Sequence, residues 1–342
     1  MSEEIKKFKV TIDGQTTEVE PGTTILNAAR QIGGKSVPPA MCYYSKLENS
    51  GGRCRTCLVE VSKGSEADPR PMPKLVASCR TTVMDGMEVK NLTSEKTQEA
   101  RKAVTEFLLL NHPLDCPICD QAGECHLQDL GYEHGLQQTR NDFEKNTYDA
   151  DDLGPNIKLN MNRCILCARC VLVANQLTNT REHGILFRGE HAEISTYLNK
   201  ALDNDFIGNV IDVCPVGALT DRTARFASRV WFTKPVDATC TCSKCSGKAV
   251  LWMKGDEIVR VTARKDQYGE VEEFICNECR FEKKDVKHWN IEGPRHISRH
   301  SVISLNHYQK PEYYHILNEN PSAKEIAAKD KAVIDRVTDE DQ

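Results

Sequence analysis

Sixteen cysteines, bunched into pairs and triplets two residues apart, constrain this 342-residue chain more than any other feature. Such spacing brings several thiolates onto one centre, whereas a disulfide framework links distant points of a chain. The opening residues, MSEEIKKFKVTIDG, hold acids and lysines but no apolar stretch or small-residue cleavage site. They do not read as an export signal, so the thiols are expected to stay reduced and free to bind metal. The longest apolar runs, such as Phe107–Leu110 and Val171–Ala174, fall far short of the roughly 18 residues that a spanning helix needs. With 45 Lys and Arg against 50 Asp and Glu, the chain lacks the basic excess of a nucleic-acid binder. The expectation is a soluble, multi-domain, multi-centre metalloprotein.

The cysteines divide the chain. Residues 1–94 read as a small β-rich domain: strands over Lys7–Ile12 and Thr17–Val19, then a short helix capped by Thr24 and ending near Gly33. A loop with Gly51 and Gly52 follows, and Cys42-x11-Cys54-x2-Cys57-x21-Cys79 supplies four thiolates. That number suits two irons bridged by two sulfides, and the order of strands, helix, Gly-rich loop and strand is ferredoxin-like; a four-cysteine zinc site is the competing reading. Residues 95–133 read as a helical unit, capped by Ser94, with Ala100, Ala103, Val104, Phe107 and Leu108 on one apolar stripe. Cys116-x2-Cys119-x5-Cys125 then needs one more ligand for a four-iron cube. His112 lies within loop reach and is favoured, with His126 as its rival.

Residues 134–235 hold the strongest signal, Cys164-x2-Cys167-x2-Cys170 with a remote Cys214-Pro215. This is the spacing of a bacterial ferredoxin cube, and the single triplet implies one cube. The cysteine-free stretch from Tyr132 to Asn160 reads as a surface connection. In residues 236–300, Cys242, Cys245, Cys276 and Cys279 flank a strand pair, Ala249–Met253 and Glu257–Thr262. Two such knuckles suit a structural zinc ion that would stabilise a unit with little core of its own; Cys240 is then spare, and a further four-iron cube is the alternative. Residues 301–342 read as a charged tail with a helical stretch at Lys324–Val337, and His300, His307 and His315 are too scattered for a site. The fold class expected is α+β: a [2Fe-2S] ferredoxin-like β-grasp domain, a helical cluster domain, a 4Fe-4S ferredoxin-like domain and a small β-rich cysteine-containing unit.

No Gly-x-Gly-x-x-Gly or phosphate-loop pattern and no catalytic triad is evident. Three centres along one polypeptide suggest an electron relay with no substrate site of its own. The stretches Gly52–Glu60, Asn111–Cys125, Arg163–Cys170 and Cys214–Leu219 resemble the large iron–sulfur subunit of respiratory complex I, the NADH-quinone oxidoreductase-G or 75-kDa family. The diaphorase small subunit of NAD-linked hydrogenases is similar as well. The resemblance covers residues 5 to about 285. It implies His112, Cys116, Cys119 and Cys125 as one ligand set, and so favours His112 over His126. It also implies one [2Fe-2S] and two [4Fe-4S] clusters, a flavin-bearing NADH-oxidising donor with its small ferredoxin-like companion, and a membrane-proximal acceptor leading to quinone. The expected place is peripheral, on the cytoplasmic side of the cell membrane. Relatives often continue into a long molybdopterin-oxidoreductase-like region, so a short form is expected. Some carry a further cube there with a different cysteine spacing, which leaves zinc or a modified cluster open for this chain. An NAD-linked hydrogenase or formate dehydrogenase component and a structural zinc protein are the alternative functions.

Overall fold

Alternating apolar residues build the first sheet. In the computed structural model, β1 (Phe8–Ile12) and β2 (Gln15–Val19) pair antiparallel from Phe8 with Val19 to Ile12 with Gln15. Asp13 and Gly14 both take positive φ, 47° and 82°, at the connecting turn, as a tight hairpin between right-twisted strands requires. Helix α1 (Ile25–Ile32) starts at Thr24, whose hydroxyl accepts from the Asn27 amide at 3.3 Å, and it buries Ile25, Leu26, Ala28 and Ala29. Strands β3 (Leu58–Lys63), β4 (Val76–Ala77) and β5 (Met87–Lys90) complete a sheet of order β2-β1-β5-β3-β4, with β5 parallel to β1. The structure describes residues 6–135, 139–148, 150–178, 183–196, 201–245 and 247–295. The tail 301–342, the helix expected at Lys324–Val337, and His300, His307 and His315 lie outside these described residues.

Helix α2 (Glu95–Leu109) begins where Ser94 caps it, its hydroxyl accepting from the Thr97 amide. The buried face is not the apolar stripe read from the sequence: Thr97, Arg101 and Thr105 are buried, whereas Phe107 is 73% exposed. The reason is Arg101, which donates to the carbonyls of Thr56 and Leu58 and to the Asn91 side chain at 2.7 Å. That polar tether to the loop around Cys57 turns the helix and leaves part of its apolar stripe in water. Helix α3 (His126–His134) packs beside α2.

The stretch from Tyr132 to Asn160 is more than a connection. It contributes β6 (Ala150–Asp152) and β7 (Ile157–Asn160), which form a sheet with β10 (Leu219–Asp221) in the order β10-β7-β6. Helix α4 (Arg169–Thr178) and the short α5 (Asn209–Val213) contact each other, and β8 (His183–Leu186) pairs with β9 (Glu193–Thr196).

A four-stranded antiparallel sheet of order β13-β12-β11-β14 follows, from β11 (Lys234–Cys240), β12 (Lys248–Lys254), β13 (Glu257–Ala263) and β14 (Trp289–Pro294), with α6 (Asn277–Phe281) nearby. The expectation of a two-stranded unit with little core is corrected here. Ala249, Leu251, Val261, Ala263, Ile275 and Trp289 are buried, and Arg280 and Asp212 form an ion pair at 2.5 Å with side chains only 1% and 2% exposed. The loop after β13 also grips the first domain. Glu270 pairs with Arg30 at 2.7 Å and accepts from the amide and hydroxyl of Ser45, while Lys46 donates to the carbonyls of Val271 and Glu272. No described helix is long and apolar enough to cross a membrane.

Candidate metal centres

The first group draws three cysteines from the loop between α1 and β3 and the fourth, Cys79, from the segment after β4. Cys42, Cys54, Cys57 and Cys79 are all buried, and the Cys57 and Cys79 sulfurs lie 3.3 Å apart. Gly51 and Gly52 hold φ of 93° and 78°, a region open to glycine at little cost. The wrapped loop aims amides at sulfur: Gly52 donates to Cys79 at 3.2 Å, and Arg53 and Cys54 donate to Cys42 at 3.3 Å. Hydrogen bonds from the Cys54 and Cys79 side chains and from the Cys54 and Arg53 amides hold the Cys42 thiol well below its usual range. Donors converging on sulfur stabilise thiolates, the form that binds iron.

The second group lines a small pocket walled by Cys164, Cys167, Cys170 and Cys214 with Leu159, Ile194, Val216, Ala218 and Leu219. Leu166 and Ala168, between the cysteines, take positive φ of 52° and 61°, strained values for residues with a Cβ. Burial pushes the Cys167 thiol up to about 12. Four thiolates in such a cavity need a compensating cationic core. A positively charged metal cluster fits this set of four sulfur donors.

The third group follows α2. Cys116 opens a short turn, the Cys119 amide donates to its carbonyl at 3.1 Å, and Cys125 is the N-cap of α3. Lys145 donates to the carbonyls of Leu109 and Leu110 at 3.0 Å and of His112 at 2.8 Å, which fixes the chain at the helix end. The His112 Nδ1 is buried without a hydrogen-bond partner, and burial pushes the imidazole down to about 4. A neutral ring with an unshared nitrogen suits a metal ligand. His126 is half-buried, which also pushes its imidazole down, but its ring packs on the turn at Gly269, where an added Cβ would lie 3.0 Å from Nε2.

The fourth group gathers five sulfurs. Cys242 Sγ lies 3.4 Å from Cys245, 3.7 Å from Cys276 and 3.3 Å from Cys279. Cys240, which the sequence leaves spare, belongs to the same cluster: the sulfurs of Cys240, Cys242, Cys245 and Cys279 lie within 4.8 Å of one another. Cys240 and Cys279 are joined as a disulfide, and a disulfide sulfur is not a thiolate, so binding through this pair requires its reduction.

Several residues around the centres carry no sequence signal of their own. Arg163 pairs with Asp115 at 2.5 Å, Arg260 pairs with Glu124 at 2.5 Å beside Cys125, and Arg169 reaches the carbonyls of Ala40 and Tyr43 around Cys42. Adjacency to a cysteine is the only hint available for Arg163 and Arg169.

Three family descriptions match parts of the chain. They are a 2Fe-2S iron-sulfur cluster binding domain at residues 6–94, the NADH-ubiquinone oxidoreductase-G iron-sulfur binding region at 101–140, and the NADH-quinone oxidoreductase subunit 3 ferredoxin-like domain at 154–220. The NADH-quinone oxidoreductase-G protein of Rickettsia bellii is 39% identical over 288 residues, 84% of this chain and 40% of that protein. Over these 288 residues the chain is similar to that protein. The NADH-ubiquinone oxidoreductase 75 kDa subunit of Reclinomonas americana is 39% identical over 83% of this chain and 39% of its own length. The chain thus spans about 40% of the length of these relatives. A solved chain of an NAD+-reducing [NiFe]-hydrogenase superposes with a TM-score of 0.56 at 28% identity, covering 65% of this chain and 91% of that one. The matched descriptions are of iron–sulfur-binding or ferredoxin-like type, so the cofactors of this chain are iron–sulfur clusters.

Proposed function

We propose that this chain is the electron-relay subunit of a respiratory NADH-quinone oxidoreductase. Cys42, Cys54, Cys57 and Cys79 would hold a [2Fe-2S] cluster. Cys164, Cys167, Cys170 and Cys214 would hold one [4Fe-4S] cluster, and His112, Cys116, Cys119 and Cys125 another. Iron–sulfur clusters supply one-electron transfer, at potentials set by burial and hydrogen bonding. The observation that carries the reading is that the three groups are neighbours in a row. Arg169, beside Cys170, bonds to the residues around Cys42. On the other side, a Cβ at Gly217 would lie 2.2 Å from Cys119 Sγ, and the His126 amide donates to the Pro215 carbonyl at 3.1 Å. The order along the relay is therefore binuclear centre, ferredoxin-type cube, histidine-ligated cube.

The chain's own residues keep water out, fix the sulfurs and set the field. Electrons would come from a flavin-bearing NADH-oxidising subunit with its small ferredoxin-like companion and leave through a membrane-proximal subunit towards quinone, with the chain peripheral on the cytoplasmic side. The division into domains at 1–94, 95–133, 134–235 and 236–300 belongs to this reading. The fourth cysteine group is assigned a structural zinc ion, off the electron path. Iron and acid-labile sulfide measured on anaerobically prepared full chain test the proposal: about ten irons are expected. Fewer than about six, with zinc making up the difference, refutes the relay. The hydrogenase likeness, which takes in 91% of that chain, supports a second reading as the diaphorase component of a hydrogenase. Co-purification of the chain with a hydrogenase rather than with membrane subunits would favour it.

A further inference from the structure

Two arginines alternate with the cysteines of the ferredoxin-type motif, Arg163 directly before Cys164 and Arg169 directly before Cys170. Both are nearly withdrawn from water, at 5% and 4% exposure, where an isolated cation is expensive. Arg169 spans two loops. One terminal nitrogen donates to the carbonyls of Ala40 at 2.9 Å and Tyr43 at 2.6 Å, which bracket Cys42. The other donates to the carbonyl of Val213 at 3.4 Å, directly before Cys214. The guanidinium lies 5.3 Å from the centre of the Tyr44 ring, and its Nε is buried with no hydrogen-bond partner. These partners are carbonyl dipoles and a ring face. They solvate the charge without cancelling it. Arg163 turns the other way and grips the Asp115 carboxylate at 3.0 and 2.5 Å, directly before Cys116. Its charge is matched.

The geometry points to Arg169 as a positioning residue that fixes the first and second centres relative to each other and poises both towards reduction, while the neutral Arg163–Asp115 pair does neither for the third. This rests on the relay reading above. Reducing a centre adds one negative charge to it, so an uncancelled cation nearby stabilises the reduced form and raises the potential. Because Arg169 touches loops of two centres, one substitution should move two potentials together. Loss of Arg163 should act differently, since it leaves the half-buried Asp115 carboxylate unpaired beside Cys116 and lowers the potential of the histidine-ligated centre.

Potentiometric titration of the anaerobically loaded full chain, followed by electron paramagnetic resonance, tests this. In Arg169→Gln the reduced-to-oxidised ratio at a fixed potential should fall about tenfold for the binuclear centre and the ferredoxin-type cube, which corresponds to about 59 mV for a one-electron couple. The third centre should be unchanged. Arg169→Lys keeps the charge and should stay close to wild type, and Arg163→Gln should lower the third centre while sparing the binuclear one. Unchanged ratios in a loaded Arg169→Gln chain overturn the proposal, as does an equal shift in the Lys variant. If Arg169→Gln does not load, a Lys variant loaded at native potentials shows the required charge dependence; failure of both makes Arg169 an assembly residue only and overturns poising. Absence of the signals from the wild-type chain would refute the relay reading instead.

Discussion

Replacing Gly217 by Ala should damage one centre and spare its neighbours. An added Cβ would stand 2.2 Å from Cys119 Sγ, 3.0 Å from Gln121 Cβ and 3.7 Å from Arg163 Cδ. Carbon and sulfur in van der Waals contact need about 3.5–4 Å, so the sulfur must retreat by more than about 1 Å. Metal–ligand distances tolerate roughly 0.2 Å, so a retreat of that size removes the ligand. The alternative is a shift of the backbone around Gly217, an overpacking strain of about 1–3 kcal/mol, which lowers the affinity of the site roughly tenfold to hundredfold. Either way the centre of His112 and Cys119 should lose iron first, and up to about four of about ten irons are at stake. The assay is iron content with electron paramagnetic resonance of the reduced chain. Gly184→Ala serves as the control, because a Cβ there meets nothing within 4 Å. A Gly217→Ala chain with full iron and all signals native would show that Cys119 does not lie against this turn.

His112→Ala should weaken or convert one cube while His112→Cys should keep it at a shifted potential, and His126→Ala should leave every signal in place; unchanged spectra for His112→Ala would exclude it as a ligand. His183 is buried with both ring nitrogens unpartnered, and burial pushes it down to about 4. Its folded pKa is below the unfolded value of about 6.5, so stability is full above that pH and falls as pH drops from about 6.5 to about 4, by up to roughly 3 kcal/mol. Denaturation midpoints of His183→Phe should lose less than wild type across that window, and parallel losses would refute the assignment. Changing Cys276 and Cys279 together to Ser should lower zinc and stability while keeping the three upstream signals; loss of about four irons instead would identify a cube. Arg280→Ala should cost about 3–5 kcal/mol by stranding Asp212, measured by urea denaturation.

The features legible in the sequence are local ones. The caps at Thr24 and Ser94 and the hairpin over residues 249–262 follow from chemistry within a few positions, and a two-residue cysteine spacing is itself a local geometry. The buried face of α2 departs from its apolar stripe because Arg101 outweighs that stripe through carbonyls more than forty residues away. Strands β6 and β7 are three and four residues long, too short to show a strand period, and although they pair with each other the third strand of their sheet comes from near residue 220. Cys240 is surplus by spacing alone, and only β11 delivers it to the other sulfurs. The arginines between the centres and the Arg280–Asp212 pair are long-range matches, which no window along the chain contains.

The grip of the residue 270–272 loop on Ser45 and Lys46 sets a timetable for synthesis. The binuclear-centre loop leaves the ribosome some 225 positions before the residues that brace it. At about 5–20 residues per second, that interval is roughly 10–45 s. For most of it, once β5 has followed at residues 87–90, Cys42 and Cys54 belong to a domain whose own strands are complete but whose outer wall has not been made. Whatever delivers iron to that loop therefore meets an open vestibule early and a closed one late, and arrival of the last domain becomes the step that seals the first.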